Sequence, residues 1–428
     1  MRPCAELADM GRGTRGRRAE SALDVLNLLL SDVRYGLGAY LGVYLLTEHG
    51  WTAAGIGTAL SVGGLVGLLC QTPIGLLVDA TRAKRQLLAA AVLVVTGSCL
   101  VIPLAPQFWP VVATGVLGAV AGTAIAPTLA AISLGIVGPG RFARRAGRNE
   151  AMFHLGNAGV NLLILATVPL FGTPVLFWLM AATGLAGAAA ALAVPERAID
   201  HALARGLPPG EKRGEGRAAA AGPGTAWRLL RGSRPLMTFA LCGALFHVAN
   251  GSMLVLVAQK LAQQHLGWGI ALTAACAIAA QAVMVPAAAL SAARADAWGR
   301  RPLLLAAFAA LALRGALYTL WDHPAWLIGV QLLDGLGAGL IGALFPVVIA
   351  DLTRGRGHFA GTQGAVGTVH ALGGIVSGVL AGTLVVQAGY DAAFLTLAAI
   401  AALGGLLFWW SMPETRDAAA PLVEGRPA

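Results

Sequence analysis

The sequence predicts an all-α integral membrane protein, with twelve transmembrane helices in two pseudo-symmetric six-helix bundles. Three observations carry this. First, 57% of the 428 residues are hydrophobic and only 12% are charged, against the ~25% charge of a soluble domain. Second, apolar runs repeatedly exceed the ~18 residues of a spanning helix, and none shows the ~10-residue alternation of a barrel strand. The 57 glycines suit close helix–helix approach in lipid. Third, the chain repeats itself. Asp79 opens DATRAKRQLLAA and Asp296 opens DAWGRRPLLLAA, 217 residues on. PERA at Pro195 and PETR at Pro413 lie 218 apart, Pro127 and Pro346 219, and GRNEA at Gly147 and GTQGA at Gly361 214. Six spans in each half, an even number, give both copies one orientation about an axis along the membrane normal.

Taken in order, the spans start near Ser21, Thr52, Gln86, Pro110, Asn149, Pro174, Pro235, Trp268, Pro302, Ala325, Thr362 and Asp391. The bundles occupy residues 21–194 and 234–412, with tails at 1–20 and 413–428. The first tail is Arg-rich, but the apolar stretch after it is too long for a signal-peptide core. The linker, 195–233, is rich in Gly, Pro and charge and cannot bury a core of its own. Within it Thr225 is placed to cap a short helix ending near Arg231.

The net charge of +10 reports topology rather than nucleic acid. Alternate loops carry Arg2, Arg12, Arg15, Arg17 and Arg18, then Arg82, Lys84 and Arg85, then Arg141, Arg144, Arg145 and Arg148. The linker adds eight basic residues from Arg197 to Arg234, followed by Arg294, Arg300 and Arg301, Arg354 and Arg356, and Arg416 and Arg426. The opposite loops, such as TEHGW and WDHPAW, are nearly free of positive charge, and only Arg34, Lys260 and Arg314 lie elsewhere. The positive-inside rule then places a multi-pass protein in the cell membrane with both termini cytoplasmic. The five cysteines, Cys4, Cys70, Cys99, Cys242 and Cys276, have no CxxC spacing and read as buried free thiols, so no metal or cofactor is expected.

Polar side chains inside the spans are the candidate site, because each costs ~2.5–3.5 kcal/mol on insertion scales and needs a partner or a cavity. The first span holds Asp24, Asn27, Asp32 and Arg34. Asp32 and Arg34, two apart, point about 160° from each other on a helix. Asp32 is a candidate titrating or cation-coordinating group, or half of a structural ion pair. In the fifth span Glu150, His154, Asn157 and Asn161 fall on one helical face. That line is either pathway lining, with His154 as proton acceptor, or interhelical hydrogen bonding. His247 and Asn250 share a face of the seventh span, Gln281 lies in the eighth and His370, most simply a core histidine, in the eleventh. Asp334 in the tenth is a functional acid or the partner of Arg314. Pro127 and Pro346, at equivalent positions, allow kinks.

The loop after the second span, with Gly75, Asp79, Arg82, Lys84 and Arg85, is similar to the G-x-x-x-D-R/K-x-G-R/K-R/K motif of the major facilitator superfamily. The chain resembles that family over its full spanning length. Ala80 and Ala83 depart from the motif, and the second copy keeps Asp296, Gly299, Arg300 and Arg301 without the leading glycine. The resemblance implies a cytoplasmic gate. Asp79 would face the helix starting at Thr362 and Gln363. Asp296 would face the helix starting at Arg148, Asn149 and Glu150. In each case a carboxylate meets the positive end of a helix. Without such a latch the basic residues would serve topology alone.

The function implied is secondary transport of a small solute by alternating access. No G-x-x-x-x-G-K-S/T loop is present, so an ion gradient, protons by default, would supply the energy. The partners expected are a small-molecule solute, a proton and the lipid bilayer, with the chain a monomer. Asp32, Glu150 and His154 are the candidate proton carriers. Exporters of this family often carry a Gly-Pro motif in the fifth span, where Val160 and Asn161 stand here, and an arginine in the fourth, absent from TGVLGAVAGTA. Efflux of a drug, metabolite or metal complex is slightly preferred over uptake by proton symport. An enzyme is not expected, since HExxH and GxSxG are both absent. A non-transporting membrane sensor is the alternative from another class.

Overall fold

The computed structural model describes residues 3–34, 38–208, 224–264 and 269–416. Arg2, the Lys212, Arg213 and Arg217 stretch of the linker, the expected span start at Trp268 and Arg426 lie outside the described residues. Within them every regular element is helical. The first bundle comprises α1 (Pro3–Val33), α2 (Gly38–His49), α3 (Ala53–Ala80), α4 (Lys84–Val101), α5 (Phe108–Val137), α6 (Pro139–Phe171) and α7 (Val175–Ala193). Then come two 3₁₀ turns, Glu196–Ala198 and Leu203–Arg205, and the surface helix α8 (Gly224–Gly232). The second bundle comprises α9 (Arg234–Asn250), α10 (Met253–Gln264), α11 (Gly269–Trp298), α12 (Arg300–Leu317), α13 (Pro324–Leu352) and α14 (Phe359–Ser411).

Nine helical stretches among the described residues are long and apolar enough to span a membrane. They resolve into twelve spans for physical reasons. In the first span α1 ends at Val33 and α2 begins at Gly38, and α12 carries Arg300, Arg301 and Arg314. The 53-residue α14 is two spans that reverse direction at Gly389, whose φ of 84° and ψ of 175° only glycine adopts without strain. The seventh span passes through a turn at Gly251 and Ser252, where Gly251 N still donates to His247 O at 2.9 Å.

The fifth span starts earlier than its sequence suggests. Gly138, with φ of 71°, turns the chain in one residue, Pro139 occupies the first turn of α6, and the basic RFARRAG segment is helix rather than loop. The N-terminal residues 3–20 likewise extend α1. Leu65, Leu69, Leu170 and Val386 are exposed on the helix surfaces, as suits a face toward lipid. Exposed Trp109 and Trp321 lie toward one membrane face and Trp298, Trp409 and Trp410 toward the other, the placement of interfacial belts. On the face of the basic loops, Leu76, Phe142 and Ala146 of the first bundle share one buried cluster with Phe359 and Ala360 of the second. The bundles therefore close on each other at that end.

Candidate transport pathway and gate

Closure on the basic face is built around α14. Its first turn leaves backbone N–H groups without helical partners, and the Asp79 carboxylate, at the end of α3, accepts from Ala360 N at 3.0 Å and Gly361 N at 2.7 Å. These donors lie just before the Thr362 and Gln363 named by the sequence. A Cβ at Gly75 would overlap the Ala360 carbonyl and one at Gly364 the Gln71 backbone, so glycine lets α3 and α14 touch backbone to backbone. On the other side of the seam Gly147 of α6 sits against Ala292 of α11, and Phe142 meets Phe359 edge-on at 5.8 Å.

The second copy of the motif does something different. Asp296 does not reach α6: it is half-exposed and pairs with Arg300 at 2.9 Å, one turn along. The reason is local. With α6 beginning at Pro139, Asn149 and Glu150 lie mid-helix, where their N–H groups are already bonded, and no positive end is presented. The basic residues also work within their own bundle. Lys84 Nζ donates to Val78 O (2.5 Å) and Thr81 O (2.8 Å), closing the end of α3. Arg85 donates to Leu192 O and Val194 O, both at 2.7 Å, and to Glu196. Arg300 binds Asp351 at 3.0 Å, Arg301 binds Trp409 O, and Glu414 accepts from Arg300 N and Arg301 N. Gly299, with φ of 93°, makes room for that carboxylate. Arg82 sits exposed at the turn.

The start of the linker, expected to bury no core of its own, covers the closed seam. Asp200 Oδ1 accepts from Ala202 N and Leu203 N, which shapes a turn that buries Ile199, Ala204 and Arg205. Asp200 N donates to Gly135 O at 3.0 Å and Gly355 N to Gly206 O at 2.6 Å, so the strap touches both bundles. Burial pushes the His201 imidazole below its ordinary range, and Lys84 and Arg82 push the same way.

Toward the opposite face a cavity of about 750 Å³ runs from Gln71 and Gln363 to the helix ends at Ile56, Ile102 and Val111. Arg34 lines it, and its Nη1 lies 3.6 Å from Glu150 Oε2. Glu150 packs where a Cβ on Gly342 of α13 would stand. Its Oε1 is 3.6 Å from His154 Nε2, and His154 Nδ1 meets Gln281 Oε1 at 2.9 Å. Gln281 Nε2 donates to Asn157 Oδ1 at 3.0 Å, which also accepts from Asn161 Nδ2 at 2.9 Å, and Tyr40 donates to Asn161 Oδ1 at 2.6 Å. The four-residue line on α6 is thus one continuous polar chain whose link on α11 belongs to the other bundle.

Other sequence candidates sit elsewhere. Asn27 donates to Asn149 Oδ1 at 3.0 Å, Arg145 Nε to the same oxygen at 2.7 Å, and Asn149 Nδ2 to Ser133, which pins α1, α5 and α6 together away from the cavity. Asp32 is half-buried beside the Thr183 hydroxyl of α7. Asp334 pairs with buried Arg314, whose Nη2 donates to Asn250 at 2.8 Å, so Asp334 and Asn250 belong to one packing network. His247 does line the cavity, as does His370, which the sequence leaves in the core. Gln71 was missed altogether, although a lone amide in the apolar LLCQTP run was its signal.

A family model described as Major Facilitator Superfamily matches residues 25–294 and 241–427. Two proteins of Mycobacterium tuberculosis, the uncharacterized MFS-type transporters Rv2456c (strain H37Rv) and MT2531 (strain CDC 1551), are each 46% identical over 402 residues, 94% of either chain. Among solved structures, the human organic anion transporter MFSD10 (TETRAN) superposes with a TM-score of 0.67 at 18% identity, covering 92% of this chain and 99% of that one. The proton:xylose symporter XylE, bound to 6-bromo-6-deoxy-D-glucose, gives 0.67 at 13%, covering 94% and 97%. Those two likenesses concern the fold. With the family model spanning nearly the whole chain, this protein belongs to the Major Facilitator Superfamily of multi-pass membrane transporters.

Proposed function

We propose that the chain moves a small solute by alternating access, coupled to protons, with the central cavity as solute chamber and the basic face as the cytoplasmic gate. The observation that carries the coupling is the polar chain Arg34, Glu150, His154, Gln281, Asn157. It starts at the chamber wall and passes from one bundle to the other, so a change in its charge acts on the contact between them. A proton on Glu150 weakens its attraction to Arg34 and leaves Arg34 to a ligand. His154, one helical turn away, is the neighbouring proton carrier.

Solute charge then sets the direction. A cation competing with the proton for Glu150 is exchanged against it, which drives the efflux preferred from sequence. A solute that competes with Glu150 for Arg34 binds together with the proton, and the two move the same way, which is uptake by symport. The Arg34–Glu150 pair favours this second mode. The test uses proteoliposomes with an internal pH dye and a panel of solutes. Glu150→Gln is expected to retain solute exchange across the membrane without a gradient and to lose pH-driven accumulation. Unchanged accumulation in Glu150→Gln removes Glu150 as carrier, and a panel that moves no proton in the wild type removes the coupling.

A further inference from the structure

Taking the cavity as the solute chamber, as above, the composition of its walls constrains the chemistry of the solute. Among the described lining residues Arg34 carries the only formal charge, and no carboxylate faces the space. A cation entering would shed water without gaining a counter-charge, which is costly in a low-dielectric chamber. An anion would meet a guanidinium whose side chain is 30% exposed. Glu150 stands 3.6 Å from that guanidinium, longer than the ~2.7–2.9 Å of a well-formed charged hydrogen bond. A ligand carboxylate at closer range therefore competes with it. Phe153 supports the guanidinium, its ring centre 4.7 Å away, and holds it in place.

The remaining polar lining is consistent. Thr114 and Thr123 donate to carbonyls of their own helix, so their protons are committed. Gln363 is 5% exposed, lines the cavity, and its Nε2 has no hydrogen-bond partner among the described residues. An unpaired buried N–H donor calls for an acceptor. The guanidinium thus asks for a ligand oxygen bearing negative charge, whereas the Gln363 amide, its Nε2 buried in the wall, asks only for an acceptor.

The shape is as specific. One wall, on α3 and α5, is opened by glycine: a Cβ added at Gly64, Gly115 or Gly122 meets nothing within 4 Å, so at these positions the space is left free. Facing it, the second bundle presents rings, with His247 and His370 centred 5.0 Å apart and Phe345 5.3 Å from His370. A glycine-opened wall opposite a ring-lined one leaves a slot for a flat apolar body. We infer that the chamber selects organic anions carried on a planar, aromatic-sized body, with Arg34 as the anion-binding residue.

The experiment measures equilibrium binding to the full chain in lipid nanodiscs, with no pH gradient, for three probes of one shape: 2-naphthoate, 2-naphthamide and 2-naphthylmethylamine. Naphthoate is expected to bind at least about tenfold tighter than either isostere. Arg34→Gln removes that preference while naphthamide binding stays, which also reports that the variant is folded, and Arg34→Lys restores part of it. Equal binding of the three, tightest binding of the amine, no binding of any, or a preference that survives Arg34→Gln each overturns the inference. Naphthoate preference without pH-driven naphthoate uptake in proteoliposomes would instead remove the transport reading and leave the binding chemistry standing.

Discussion

Arg314 is the largest side chain with almost no exposure, 1%, and it holds three partners at once: Asp334 of α13, Asn250 at the end of α9 and Met253 Sδ at the start of α10. It therefore holds the turn in the seventh span, since two of its partners, Asn250 and Met253, flank Gly251 and Ser252. Gln331 donates to the other oxygen of Asp334 at 2.9 Å, so the acid has partners on both sides. Removing one member of such a pair leaves a buried charge, whereas removing both need cost little. Arg314→Met is expected to destabilise the protein by about 3–5 kcal/mol, and Arg314→Met with Asp334→Leu to recover most of it. Unfolding curves of the two variants in mixed micelles check this, and equal losses would mean the pair is not the source. The sequence places both residues at similar depth, which made the pair one of two readings. Depth along a helix says nothing of azimuth between helices, and only packing could choose.

At the scale of elements, the two loop motifs read alike but act differently because of the helices they meet. Asp79 meets a helix whose first turn begins at Phe359, with free N–H groups. Asp296 would need one at Asn149, and α6 is already ten residues old there, having started at Pro139. The dipeptide Gly138-Pro139 carried that information, and the density of arginines after it suggested a loop instead. Glycines divide in the same local way. A Cβ at Gly67 would press on Ala119 at 3.2 Å, whereas one at Gly115 enters the chamber. Gly67→Leu is expected to cost about 1–3 kcal/mol through overpacking, and Gly115→Leu to leave stability within about 0.5 kcal/mol while weakening solute binding severalfold. Thermal unfolding and naphthoate binding, measured on both variants, separate the two outcomes. A destabilised Gly115→Leu with unaltered binding would place its side chain between helices and not in the chamber.

Across the whole molecule, closure at the basic face includes the charged contact of Asp79 with the other bundle, with glycine-mediated backbone contact around it. Asp79 is 1% exposed and its two N–H donors are in the other bundle. Asp79→Asn keeps the shape but removes the charge from a helix terminus, an effect of up to about 2 kcal/mol in a partly buried setting. The population open at that face should rise accordingly. Ala365→Cys, buried at the seam with 0% exposure, serves as reporter: its alkylation by N-ethylmaleimide is expected to quicken severalfold in the Asp79→Asn background. An unchanged labelling rate would remove Asp79 from the gate. How far the sequence reaches can be judged from these same parts. Spans, repeat, family and the polar face of α6 were all legible, because the insertion cost of charge, the 3.6-residue period and the 217-residue offset act along the chain and leave their mark in one dimension. The family resemblance implied that Asp79 meets the start of α14, and its contacts fall at Ala360 and Gly361. What tertiary structure decided was partnership: that Arg34 faces Glu150, that Gln281 closes the polar chain from the other bundle, that Asn27 and Asn149 pin helices, and that Asp296 stays at home. Those outcomes depend on how helices rotate against each other when backbones close at glycine, and rotation about a helix axis is the coordinate that a linear pattern leaves free.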